Sequence, residues 1–137
     1  ERLDAMLAGA RAPMPLEGAF FATRQGEPVG AVCTFFQHTT HGVAPELGWL
    51  VVAPQHRGRR LARALCLALL AYVGSAGYDY CYLKTEDFRR AAIATYLEVG
   101  FEPEILDDTQ PARWALLVSE MNSRRARNSA SLDTPAG

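Results

Sequence analysis

The stretch from Glu46 to Leu65 constrains this chain more than any other. Glu46 to Val52 is apolar and rich in branched residues, as a strand requires. It ends at Ala53-Pro54, passes through a basic turn containing Gly58, and enters a long apolar run. There Leu61, Leu65, Ala68 and Tyr72 recur at i, i+4, i+7 and i+11, which predicts a helix from about 57–58 to Ser75. Gly74 and Gly77 close it. Tyr80 to Lys84 then reads as another strand. A strand–helix–strand unit implies one parallel pair. The turn carries chemistry of its own. The first turn of a helix presents N–H groups at the positive end of the dipole, a ready site for a pyrophosphate. Gly58 lets the backbone approach a ligand closely. Arg57, Arg59, Arg60 and Arg63 add charge. An ordinary junction with solvated arginines is the competing reading. Neither G-x-x-x-x-G-K-[ST] nor G-x-G-x-x-G occurs, which sets aside a nucleotide-hydrolysing P-loop and a dinucleotide fold.

Upstream, Leu3, Met6, Leu7 and Ala10 have helical spacing over residues 1–12, and Pro13 and Pro15 stop that helix. Gly18 to Arg24 and Val29 to Gln37 read as strands joined by the Gln25–Pro28 turn. Residues 38–44 read as a polar loop. The paired phenylalanines Phe20-Phe21 and Phe35-Phe36 place one ring on each side of the sheet. Downstream, Asp87 is a candidate cap for a helix from Arg90 to Val99, closed by Gly100. Phe101 to Leu106 and Arg113 to Val118 read as a closing antiparallel pair. Residues 119–137 are polar, carry Arg124, Arg125 and Arg127, and read as a disordered basic tail. The expectation is one mixed α/β domain over 1–118, with five to six mostly antiparallel strands and helices on both faces.

Length and composition agree with this. The 137 residues suit one domain. A net charge of −1 argues against nucleic-acid and membrane surfaces. Cys33, Cys66 and Cys81 are an odd number without a C-x-x-C pair. That argues against a disulfide framework or a zinc site and fits a reducing, cytoplasmic setting. The three cysteines read as small core residues. His38, His41 and His56 lack metal-ligand spacing.

The run Arg57-Gly-Arg-Arg-Leu-Ala62 resembles the pyrophosphate loop of the GNAT superfamily of N-acetyltransferases, [RQ]-x-x-G-x-[GA], with Arg60 where the middle glycine usually stands. The later run from Ala92 through Tyr96 to Gly100-Phe101 resembles the family's second motif, with Arg89 where an asparagine is common. The resemblance covers roughly residues 18–118. It implies a splayed parallel pair with acetyl-CoA, as co-substrate, in the wedge. Backbone groups of Leu50, Val51 and Val52 would pair with the pantetheine arm. Residues Gly58, Arg59, Arg60, Leu61, Ala62 and Arg63 would hold the pyrophosphate, with Arg57 and Arg89 beside it. The implied reaction is transfer of an acetyl or other acyl group to a primary amine within a ternary complex. Glu46 falls where several members have a base, and an amine nucleophile needs one. Tyr96 resembles the family's general acid toward the departing thiolate. Glu46 as a merely solvated strand residue, and Tyr96 as a half-buried aromatic, remain alternatives. Residues 86–96 resemble small-molecule acetyltransferases of the mycothiol-synthase kind, and small amines and peptide amines both stay open as acceptors. So do a homodimer, a missing N-terminal strand and helix, and a non-catalytic acyl-CoA sensor, which would need no base at 46.

Overall fold

The computed structural model describes residues 15–132, with side chains as far as Ser123; the helix expected over 1–12 lies outside them. Three strands, β1 (Ala19–Arg24), β2 (Glu27–Thr39) and β3 (Gly42–Val52), precede three helices, α1 (Leu61–Ser75), α2 (Arg90–Glu98) and α3 (Gln110–Leu132). The fold is mixed α/β with an antiparallel sheet in the order β1-β2-β3. The chain divides into two compact units, one ending at Lys84 and one beginning at Thr85.

In the first unit, β1 and β2 join through Gln25-Gly26, both at positive φ (51° and 80°). Such a two-residue turn matches the right-handed twist of the strands it connects. β2 and β3 run further than the sequence predicts and leave only Thr40-His41 between them. The loop expected over 38–44 is therefore strand at both ends. Branched Thr39 and Val43 suit an extended backbone. The Thr39 hydroxyl closes the turn by donating to the Gly42 carbonyl at 2.6 Å and accepting from the His41 N–H at 3.2 Å.

Alternation along β2 splits the sheet into two faces. Gly30, Val32, Thr34 and Phe36 share the face that α1 covers. Leu65 lies against Gly30, Tyr72 and Thr34 both lie against Gly18, and the rings of Phe20 and Tyr72 meet edge-on at 6.1 Å. Helical spacing turns Leu65, Cys66, Leu69 and Val73 inward, and all four are buried. Each buried Leu or Val stabilises the packing by roughly 1.5–3 kcal/mol. Thr34, fully buried on this face, donates its hydroxyl to the Gly18 carbonyl at 2.8 Å. The opposite face carries Cys33, Phe35, Glu46 and Gly48, by their register partners. The phenylalanine pairs thus divide between the faces as expected.

Gly74 lies inside α1 in helical conformation and does not end it; Gly77 and Gly100 are the stops and behave alike. Gly77 and Gly100 sit at φ of 94° and 109°, just past the ends of α1 and α2. Tyr78 N–H donates to the Val73 carbonyl and Phe101 N–H to the Tyr96 carbonyl, the six-to-one bond of a Schellman ending.

The strand expected over Tyr80–Lys84 is not formed. Its contact with β3 is one parallel bridge, Glu46 to Tyr82. Among the described residues the sheet has three strands, not five or six.

In the second unit the closing strand pair is absent. Arg113 to Val118 belongs to α3, because Trp114, Leu117 and Met121 recur at helical spacing, Leu117 being buried. Phe101 to Leu106 has no regular structure, and Pro103 has no N–H to offer a ladder. Helix α3 continues to Leu132, across most of the segment read as a disordered tail. Asp87 does not cap α2, whose cap residue is Arg89 without a side-chain bond. Instead Asp87 receives a two-pronged bond from Arg113, at 2.8 Å from Nε and 2.6 Å from the second nitrogen. Arg90 pairs with Glu120.

Candidate functional site

The first unit gathers most of the residues singled out from the sequence. β3 is irregular where they begin. Ala31 faces Val51 and Cys33 faces Gly48, so Trp49 and Leu50 together oppose Val32 alone. That is a β-bulge, and Trp49 occupies it at φ 55°, a conformation that costs a bulky residue about 1–2 kcal/mol. The surroundings brace it. The Trp49 indole meets the Phe35 ring edge-on at 4.9 Å, and Phe35 lies directly over Gly48.

The bulge changes which backbone groups face outward. Ahead of it, Pro45 and Leu47 point away from β2. The Pro45 carbonyl accepts from Tyr82 N–H at 3.1 Å, and Leu47 N–H donates to the Tyr82 carbonyl at 2.9 Å. Beyond it the parity reverses. Ala53 N–H donates to the Val29 carbonyl at 2.8 Å, so Val51 turns toward β2 and Val52 away. After Glu46 no further strand pairs with this outer edge among the described residues. The edge is open at Leu50 and Val52, where the resemblance implies pairing with an extended ligand; Val51, expected there too, instead turns inward because the bulge reverses the parity. One group there is engaged: the Val52 carbonyl accepts from Arg57 Nε at 3.1 Å. Arg57 thus ties the loop to the strand end.

The loop itself is a short 3-10 turn, Pro54–His56, followed by four exposed residues, Arg57 to Arg60. The helix starts later than predicted, at Leu61. Gly58 has φ 80° with no heavy atom within 4 Å of where a Cβ would stand. Arg60 is the cap residue and adopts the left-handed conformation, φ 61° and ψ 23°, that a glycine would take there. The first helical bond runs from Ala64 N–H to the Arg60 carbonyl at 3.2 Å, leaving the amides of Leu61 and Ala62 without acceptors inside the helix. An open strand edge therefore leads directly to a helix N-terminus set among arginines. Such a surface can hold an extended amide chain ending in a pyrophosphate.

Glu46, half-buried on the face opposite α1, lies beside Tyr82. The Tyr82 phenol is pushed up to about 12 by burial and then by its hydrogen bond to the Glu46 carboxylate. Burial likewise pushes the thiols of Cys66 and Cys81 up to about 11. They are neutral at ordinary pH, as core cysteines are.

Tyr96 and Arg89 belong to the second unit. Tyr96 is half-buried on α2 and meets Phe101 edge-on at 5.9 Å. Arg89 is exposed, its guanidinium 5.6 Å from the Phe88 ring centre. Tyr82 and the bulge escaped the sequence reading. Gly48 inside a strand pattern was the available signal for the bulge, since such a glycine marks a bulge or a close approach. Nothing in the sequence pairs Tyr82 with Glu46.

Residues 3–101 match the model of the acetyltransferase (GNAT) family. The chain belongs to that family. A mycothiol acetyltransferase from Thermobispora bispora is 36% identical over 87 residues, which cover 61% of this chain and 30% of that protein. An uncharacterized N-acetyltransferase, YjgM, from Escherichia coli is 39% identical over 57 residues, covering 42% of this chain and 34% of that protein. The matches thus span about a third of the length of these curated relatives. The fold is shared with a ribosomal-protein-alanine N-acetyltransferase from Brucella melitensis (TM-score 0.61, 19% identity, 77% of this chain and 78% of that one). It is shared also with the aminoglycoside N-acetyltransferase AAC(6')-Iy, solved with a bisubstrate analog (TM-score 0.61, 21% identity, 76% of each chain) and with CoA. No described helix is long and apolar enough to cross a membrane.

Proposed function

We propose that this chain binds acetyl-CoA along the outer edge of β3 and transfers the acetyl group to a primary amine by direct attack within a ternary complex. The observation that carries this is the bulged strand end running into the basic N-terminus of α1. It is complementary to a ligand with amide groups along an extended arm and a pyrophosphate at the end. The outward-facing backbone groups of Leu50, with the N–H of Val52, meet the arm, while Val51 stays paired with β2. Gly58 and the amides of Leu61 and Ala62 meet the pyrophosphate, with Arg59, Arg60 and Arg63 supplying charge. Glu46 takes the ammonium proton, directly or through water, so that the neutral amine can attack the thioester carbonyl. Tyr96 donates to the departing thiolate. A phenol O–H is a hydrogen-bond donor and suits that role.

Two measurements test the reading. A saturating ligand at 100 times its Kd stabilises a fold by about 2.7 kcal/mol, several degrees in Tm for a domain of this size. Acetyl-CoA is expected to produce that shift, and ATP and NAD are not. No shift with acetyl-CoA would refute the site. Turnover is then followed as free CoA thiol with an aminoglycoside, an alanine-terminated peptide and a mycothiol-type amine, acceptors suggested by the relatives. Glu46→Gln is expected to keep the acetyl-CoA shift and to lower turnover by ~10²-fold or more. A shift with no turnover on any amine would favour a sensor instead.

A further inference from the structure

We propose that Tyr82 is a positioning residue for Glu46: its phenol holds the carboxylate in one orientation at the mouth of the open β3 edge. This rests on the reading of Glu46 as the base.

The geometry is local and doubly fixed. Glu46 and Tyr82 are partners in the parallel bridge, and bridge partners present their side chains on the same face. Two backbone bonds, Leu47 N–H to the Tyr82 carbonyl at 2.9 Å and Tyr82 N–H to the Pro45 carbonyl at 3.1 Å, lock the two main chains at this point. Neighbouring strands lie about 4.8 Å apart, so the two side chains stand side by side on that face, with the Glu46 carboxylate acting on the Tyr82 phenol. The contact sits where the two segments join, immediately before the edge opens.

The chemistry suits positioning rather than proton transfer. Burial and the Glu46 contact both disfavour the phenolate, so Tyr82 stays protonated through neutral pH and acts as a donor. A carboxylate has two oxygens and about four acceptor positions. One phenol occupies one of them and leaves the rest for an ammonium or a bridging water. The neighbouring Cys81, whose thiol also feels the Glu46 charge, is held neutral by burial and offers no competing charge. A general base works only within hydrogen-bond reach of the proton it takes, and a glutamate free to change rotamer spends much of its time elsewhere. The donor at 82 narrows that distribution.

Tyr82→Phe removes a single oxygen and keeps the ring, so the fold is expected to survive with Tm changed by no more than about 2–4 °C. The first measurement needs no acceptor. In protein labelled with 13C at glutamate, the Glu46 side chain, assigned by its loss in Glu46→Gln, is expected to show distinct γ-proton shifts in the wild type. Those shifts are expected to average together in Tyr82→Phe. An unchanged Glu46 spectrum in a folded Tyr82→Phe would overturn the proposal. The second measurement is kinetic, on whichever panel amine is turned over. Tyr82→Phe is expected to lower kcat about tenfold with the acetyl-CoA KM unchanged, and to cost nothing more in the Glu46→Gln background. An equal loss in both backgrounds would mean that Tyr82 acts independently of Glu46. Full turnover in Glu46→Gln would instead remove the base itself, a failure distinguishable because the spectral difference would persist.

Discussion

Adding one methyl group at Gly48 tests the packing that supports the bulge. A Cβ built there would lie 2.7 Å from Cε2 and 2.9 Å from Cδ2 of Phe35. Ordinary carbon contacts begin near ~3.5 Å, so the ring must retreat by roughly 0.6–0.8 Å. It has little room to do so. Phe35 is 6% exposed, packs with Cys33 and Ala19, and meets the Trp49 indole edge-on at 4.9 Å. Inserting a methyl into a filled site costs typically ~1–3 kcal/mol, and a braced ring places this case near ~2. For a chain of this length each kcal/mol moves Tm by about 3–4 °C, so Gly48→Ala is expected to unfold some 6–8 °C earlier, read by calorimetry. The ring is the stated obstacle, so removing it should remove the penalty. In a Phe35→Leu background, the same Gly48→Ala change is expected to cost less than about half as much. A Gly48→Ala protein as stable as the wild type, or an undiminished penalty in the Phe35→Leu background, would refute the reasoning.

Other outcomes follow from the basic loop and the second unit. Arg60→Gly should unfold about 2–4 °C above Arg60→Ala, since both lose the guanidinium but only glycine escapes the left-handed cost of about 1–2 kcal/mol, less about 0.5–1 kcal/mol of chain entropy; an equal or lower Tm would contradict the strain at φ 61°. Gly58→Val meets no neighbouring atom but forces a branched residue to φ 80°, so it should weaken acetyl-CoA binding about tenfold or more while the apo protein stays folded. Normal binding would detach the loop from the ligand. Asp87 is held below its ordinary 3.8, first by the hydrogen bond from Arg113. A depressed carboxylate contributes stability above its unfolded pKa and loses it as pH falls through the folded value. The Tm gap between wild type and Asp87→Asn should therefore be small at pH 7, since both partners are exposed, and should shrink further as pH falls below 3.8 and the folded carboxyl takes up its proton. A gap that widens in acid would refute the pairing.

Much of the local structure was legible because its signals are local. Leu61, Leu65 and Tyr72 declare the inward face of α1 by spacing alone. Gly77 and Gly100 end their helices because few other residues adopt that backbone without cost. The loop before α1 was recognisable from Gly58 and its arginines for the same reason: an anion cradle is made by neighbours in sequence. The misreadings fall where two patterns overlap. Trp114, Leu116 and Val118 alternate as a strand would, yet Trp114, Leu117 and Met121 satisfy a helix, and α3 adopts the longer pattern. Asp87 looked like a cap only because the partner that claims it, Arg113, lies 26 residues away.

By itself, then, the sequence determined the strand–turn–helix unit, the helix stops, the division of the phenylalanines between the two faces, and the family. These depend on periodicity, on backbone preference, and on residues close together in the chain. Only the tertiary structure decided that β3 bulges at Trp49, that its outer edge opens after a single bridge, and that Tyr82 meets Glu46. A bulge reverses the outward parity of every later residue in the strand, and it sits next to the cross-strand contact of the Phe35 ring with Gly48. Which residue lies across a parallel bridge depends on the path of the chain through α1, so no spacing within either segment encodes it.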